Sequence, residues 1–98
     1  MNELENILGI QFPKRVKISH ATNNSKKVKK NSIFFGLQGA KDHGSKYIKE
    51  ALYNGASIVV HDDKAYKSDL KNIFYIDDLE EIDFYKFLNC LYLSLIHI

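Results

Sequence analysis

"SIFFGLQGAKDHGSKYIKEALYNGASIVVHDD", residues 32–63, sets one amphipathic stretch between two short apolar runs. The first run, residues 32–37, is continuous, bounded by turn signals and too short for a helix, which is the pattern of a strand buried on both faces. Gly36 inside it permits close approach of another backbone. A loop with Gly39 and Gly44 follows. From Ser45, read as an N-cap, "KYIKEALYN" places Tyr47, Ile48, Ala51 and Leu52 on one helical face, and Gly55 stands where a helix C-terminal glycine belongs. "ASIVVHDD" is the second buried strand. Strand, loop, helix and strand in this order predict a parallel pair joined by the helix of residues 45–54.

Working outward, Leu4, Ile7 and Leu8 have helical spacing, so a short helix is expected before Phe12-Pro13 breaks it. "RVKISHA", residues 15–21, alternates Val16, Ile18 and His20 against polar neighbours, the period of a half-buried strand. "TNNSKK" is a turn. Beyond residue 63, "KAYKSDLK" reads as a connector or short helix and "NIFYIDD" as another strand. Asp78 with Glu81 three residues on resembles a capping box opening a last helix, which carries Leu79, Ile82, Tyr85, Leu88 and Tyr92. The expected fold is α/β: a small Rossmann-like layered domain, its short sheet mostly parallel or mixed and flanked by helices.

A chain of 98 residues allows one domain, and an apolar fraction of 45% with six Tyr and six Phe excludes a disordered class. The net charge of +2 is too small to argue for a polyanionic partner. Lysine supplies nearly all the basic residues, so no single lysine is informative. One cysteine, Cys90, excludes an intrachain disulfide and a multi-cysteine zinc site. The start lacks a secretory signal, and a reducing, cytoplasmic setting is expected. The last residues, "LNCLYLSLIHI", are almost wholly apolar but fall short of the ~20 that a membrane span needs, so no membrane partner is expected. Domain residues 1–90 followed by an apolar, non-native tail at 91–98 is the reading of this end.

The run "SKKVKK" could hold phosphates through Lys26, Lys27, Lys29 and Lys30. No nucleic-acid motif accompanies it, so a solvated turn with Val28 as its inward anchor is favoured over a nucleic-acid-binding module. The histidines His20, His43, His61 and His97 show no paired metal-ligand spacing, and no metal site is expected. His43 reads as an exposed loop residue and His61 as the end of a strand. Asp62-Asp63 and Asp77-Asp78 read as strand ends or caps, and no catalytic grouping emerges. The Gly39–Gly44 loop follows a strand and precedes a helix, where α/β folds bind ligands. It matches neither G-x-G-x-x-G nor the P-loop, since Ser45 stands where the latter requires lysine.

Taken together, "ATNNSKKVKKNSIFFGLQGAKDHGSKYIKEALYNGASIVVHDD" resembles the N-terminal domain of the Mur ligases. That domain opens with D-S-R-x-V, continues through a Phe-rich strand and a G-x-x-x-D-G-like loop, and reaches F/Y-I-x-x-A-x-x-x-G-A. The resemblance is greatest to the MurE type, with the MurF type as competitor. It implies a domain that binds the UDP end of a UDP-N-acetylmuramoyl-peptide, UDP-MurNAc-L-Ala-D-Glu for MurE, through Asn23, Ser25, Ala40, Lys41 and Asp42. Asn24 and Lys26 replace the Asp and Arg of D-S-R and cannot form its bidentate fork, and His43 replaces an Asp before Gly44. The resemblance further implies a monomeric parent ligase of peptidoglycan biosynthesis. There ATP with Mg2+ would activate the substrate carboxylate in a central domain carrying G-T-N-G-K-T. Such a motif does not occur in residues 1–98, so this part is expected to be inactive by itself, with no catalytic residue and no bound cofactor.

Overall fold

The computed structural model describes residues 3–39 and 41–96. Four strands, β1 (His20–Thr22), β2 (Ser32–Gly36), β3 (Ala56–His61) and β4 (Ile73–Tyr75), form one sheet in the order β1-β2-β3-β4. Every neighbouring pair is parallel. The helices are α1 (Glu3–Leu8), α2 (Ile48–Tyr53) and α3 (Glu81–Ile96). The expected α/β class holds, with a sheet that is wholly parallel.

The two runs quoted at the outset become the central strands. All five residues of β2 are buried, because both of its faces are covered. Alternation along β2 and β3 sends Ile33, Phe35, Ile58 and Val60 to one face, against α1 and α3. Phe34, Ala56 and Val59 go to the other, where Ile48 and Ala51 of α2 and Val28 meet them. Phe35 packs edge-on to Phe84 and Phe87, with ring centroids 5.1 and 5.4 Å apart. The β2–β3 register shifts between Ser32 and Ile33, which leaves Ser57 as an extra residue; its carbonyl accepts from Asn72 Nδ2 at 3.1 Å.

Several boundaries differ from expectation. In residues 15–21 burial alternates as read, but the strand begins only at His20; Val16 and Ile18 pack on the core without ladder bonds. The first helix ends at Gly9, whose φ of +68° is the left-handed stop, ahead of Phe12-Pro13. Ser45 is not the cap. A 3-10 turn, Gly44–Tyr47, precedes α2, and the His43 side chain caps it by accepting from Ser45 N–H. Tyr47 consequently faces outward, while Ile48, Ala51 and Leu52 pack inward. Gly55 closes α2 at φ +111° as read.

The capping box of the last helix lies two residues on from its expected place. Asp78 sits at φ +58°, outside the helix, and the Asp83 carboxylate accepts from Glu80 N–H at 2.9 Å. That shift rotates the buried face: Phe84, Phe87 and Leu91 are enclosed and Leu88 half-buried, whereas Ile82, Tyr85 and Tyr92 are exposed. Leu79 is buried from the preceding turn. Helix α3 continues past residue 90, and Leu91 belongs to the core at 3% exposure. Among the described residues no helix is long and apolar enough to cross a membrane.

Candidate functional site

In a parallel sheet the loops leaving the strands' carboxyl ends share one edge, and ligands bind along it. Here that edge carries Asn23 after β1, residues 37–39 and 41–43 after β2, Asp62 and Asp63 after β3, and residues 76–80 after β4. Two open depressions of about 500 and 480 Å³ lie there. One is lined by Asn23, Asn24, Ser25, Lys26 and Tyr47. The other is lined by Asn23, Gln38, Gly39, Asp62, Glu80 and neighbouring residues. Asn23 borders both.

The turn after β1 is held from within. Asn24 Oδ1 accepts from Lys26 N–H at 3.0 Å, and Thr22 Oγ1 accepts from Asn24 N–H at 3.1 Å. An amide therefore locks this turn through the backbone, with no ion pair required. Ser25 is buried; its hydroxyl donates to Glu50 of α2, and its carbonyl accepts from Asn54 Nδ2 at 3.0 Å. The serine thus fastens the β1–β2 crossover to α2. Val28 is the buried anchor that the lysine run was expected to have, and Lys26, Lys27, Lys29 and Lys30 are exposed.

The loop after β2 folds back on itself. Gln38 and His43 form an isolated antiparallel bridge, Gly39 N–H donates to Asp42 O at 3.0 Å, and Gly44 N–H donates to Leu37 O at 2.6 Å. A Cβ on Gly44 would lie 2.6 Å from Leu37 N and 2.7 Å from Gly36 C, so the base of the loop depends on the absence of a side chain there. Lys41 and Asp42 project at the exposed tip; Ala40 lies outside the described residues. Asp42 accepts from the Tyr47 hydroxyl at 3.2 Å and pairs with Lys46 Nζ at 3.5 Å. Tyr47 thus connects the two expected site segments, lining the Asn23–Ser25 depression while it holds Asp42.

Sequence reading missed two groups. His43 is not a free loop residue: Nδ1 accepts from Ser45 N–H and Nε2 lies 2.5 Å from Asp62 Oδ1. Ser45 in turn donates to Asp63 Oδ2 at 2.6 Å, and that bond, followed by one from Ala65 N–H, holds the Asp63 carboxyl below its ordinary pKa. These bonds tie the β2 loop to the end of β3. No spacing rule announces them, because the partners are 18 and 19 residues apart. Tyr47 was assigned to the buried face and so went unread as a lining residue.

Residues 17–84 match the description "Mur ligase family, catalytic domain". The chain belongs to the Mur ligase family. A Rickettsia typhi relative named UDP-N-acetylmuramoyl-L-alanyl-D-glutamate--2,6-diaminopimelate ligase is 35% identical over 72% of this chain. One of the same name from Wigglesworthia glossinidia brevipalpis is 38% identical, again over 72%. The chain spans about 14% of the length of either relative. Among solved structures, MurF ligase from Thermotoga maritima in complex with ADP aligns over 93% of this chain and 17% of its own, with a TM-score of 0.56 and 25% identity.

The loop after β2 keeps two of its N–H groups for its own backbone. A phosphate cradle needs loop N–H groups turned outward, whereas those of Gly39 and Gly44 are spent on Asp42 O and Leu37 O. Nor do three His, Cys, Asp or Glu side chains converge as a metal ligand set among the described residues.

Proposed function

We propose that this chain is the UDP-substrate-binding domain of a MurE-type ligase of peptidoglycan synthesis, seating the UDP end of UDP-MurNAc-L-Ala-D-Glu. The observation that carries this reading is the relatives' shared ligase name over most of this chain, joined to a carboxyl-edge depression at the residues the family resemblance selects. Asn23 and Ser25 meet the base and ribose: an amide both donates and accepts, and the Ser25 oxygen accepts from a base N–H. Lys26 and Lys41 face the diphosphate, with Ala40 and Asp42 completing the loop contact. Charge sets the direction, since Asp62, Glu80 and Glu81 make the neighbouring depression hostile to phosphate.

ATP and Mg2+ chemistry, the acceptor amino acid and its selection belong to parts of the parent outside residues 1–98. The parent works as a monomer in the cytoplasm, where its soluble nucleotide-sugar substrate is made, and adds 2,6-diaminopimelate as its relatives' names indicate. A MurF-type parent would present the same UDP end to this domain, so the two are separated by assaying the full-length ligase on dipeptide and tripeptide substrates.

Calorimetric titration of this chain with UDP-MurNAc-L-Ala-D-Glu tests the binding reading. A weak, saturable heat that UDP alone reproduces and that Asn23→Ala removes is expected. Folded protein that gives no heat and no resonance shifts at Asn23, Ser25 and Asp42 refutes it.

A further inference from the structure

His61, at the end of β3, is only 2% exposed, yet one of its two ring nitrogens is unused. Its Nδ1 accepts from Asp63 N–H at 3.1 Å. That bond needs an unprotonated Nδ1, so the neutral ring carries its proton on Nε2. Burial favours the neutral form, lowering the His61 pKa against the opposing pull of Asp63. Among the described residues no protein group accepts the Nε2 proton, and none of their side-chain nitrogens is both buried and unpartnered. Nε2 therefore keeps some exposure, and His61 lines a pocket at this end of β3.

That pocket, of about 370 Å³, lies beside the β3–β4 connector and shares no lining residue with the two depressions described above. Tyr66 and Tyr75 flank the imidazole edge-on, with centroids 5.2 and 5.9 Å from it. Ile73 supplies apolar floor, and Lys64 and Lys67 stand at the wall with no ion pair among the described residues. No carboxylate is among the residues lining the pocket: Asp63 bonds to Ser45 and Ala65, Asp62 to His43, and Asp77 to the Tyr75 hydroxyl. We propose that this pocket is a second ligand site, taking a small planar ring that bears an anionic group. The ring packs between Tyr66 and Tyr75, an acceptor atom takes the His61 Nε2–H, and the anion meets Lys64 and Lys67. Three donors and two aromatic walls exclude a cationic or purely aliphatic ligand.

Phenyl phosphate is the probe, titrated into isotope-labelled chain and followed by NMR, with inorganic phosphate and phenol as its two halves. Saturable shifts at His61 Nε2 and Tyr66 with a Kd on the order of 1 mM are expected. Each half should bind about tenfold more weakly. Lys67→Gln, at an exposed position, and Tyr66→Ala, half-buried on the core cluster beneath α2, should each weaken phenyl phosphate about tenfold, with circular dichroism checking that each variant stays folded. Shifts that never saturate, that survive Tyr66→Ala unchanged, or that inorganic phosphate alone reproduces overturn the proposal. The UDP-substrate reading is judged at Asn23 and Ser25, so either can fail while the other stands.

Discussion

Replacing Gly44 by alanine places a methyl group where the backbone of β2 already runs. The new carbon would lie 2.6 Å from Leu37 N, 2.7 Å from Gly36 C and 2.8 Å from Gly36 Cα. Carbon contacts are normally about 3.5 to 4.0 Å, so each is short by close to 1 Å, and none of the three atoms is a flexible side-chain end. Relief requires moving the loop base off the strand, breaking the Gly44 N–H bond to Leu37 O and disturbing the Ser45–Asp63 bond beside it. A cost of about 3 kcal/mol follows, the upper part of the range for overpacking. For a domain of this size that lowers Tm by about 12–24 °C. Gly36→Ala is the control: its Cβ would meet Gly44 C and Ser45 N at 3.3 Å, a strain closer to about 1 kcal/mol. Urea unfolding monitored by circular dichroism measures both. If Gly44→Ala lies within about 0.5 kcal/mol of the parent, the close crossing of β2 and the loop is wrong.

Leu91→Ala should destabilise by about 2–5 kcal/mol in the same assay while Leu93→Ala, two residues on and exposed, stays within about 0.5 kcal/mol; equal effects would remove α3 from its assigned phase. His61 has a lowered folded-state pKa, so below its unfolded value of 6.5 the unfolded chain binds more protons, and stability should fall as pH drops through the interval beneath 6.5. Unfolding curves at stepped pH, compared with His61→Gln, test this; an equal slope in the variant counts against it. Ser45→Ala removes the leading cause of the low Asp63 pKa, so carboxyl titration by NMR should show that pKa rising, and an unmoved value would contradict the Ser45–Asp63 bond. Ser25→Ala should cost about 1–2 kcal/mol in stability even without ligand, because Glu50 loses its donor; Glu50→Gln restores no lost partner and should add little to the double variant.

The sheet was legible because β2 and β3 are buried on both faces and therefore carry uninterrupted apolar runs. Residues 15–19 show how a correct period still misleads: Val16 and Ile18 turn inward in alternation, but only pairing makes a strand, and the partner begins at His20. The last helix failed differently. Counting from Leu79 put Ile82, Tyr85 and Tyr92 on the buried stripe, and a start two residues later turned the stripe to Phe84, Phe87 and Leu91. At the carboxyl edge, Asn23, Ser25, Lys41 and Asp42 were selected by a family pattern; Tyr47 lines one depression with Asn23 and Ser25 and donates to Asp42. The bonds that fix those segments, from Ser25 to Glu50, His43 to Asp62 and Ser45 to Asp63, cross 18 to 25 residues and obey no local rule.

Those crossing bonds also decide how charge is distributed along the edge. His43 and Ser45, both from the segment that follows β2, hold one oxygen each of Asp62 and Asp63. These bonds fasten the loop to the end of β3, while Lys41 at its tip and Lys26 of the β1 turn are both exposed. On the proposed reading a diphosphate lies between those two lysines, and the acidic depression by residues 79–81 is left for uncharged or donor-rich parts of a ligand. His43 occupies the position where the family pattern has an aspartate before the glycine. An aspartate there would set a second carboxylate against Asp62 in place of a donor, so His43→Asp should loosen the loop from β3 and weaken UDP-substrate binding together. Retained affinity in a variant whose Asp62 resonances have shifted would show that the loop's position, and hence the lysine placement argued here, does not govern binding.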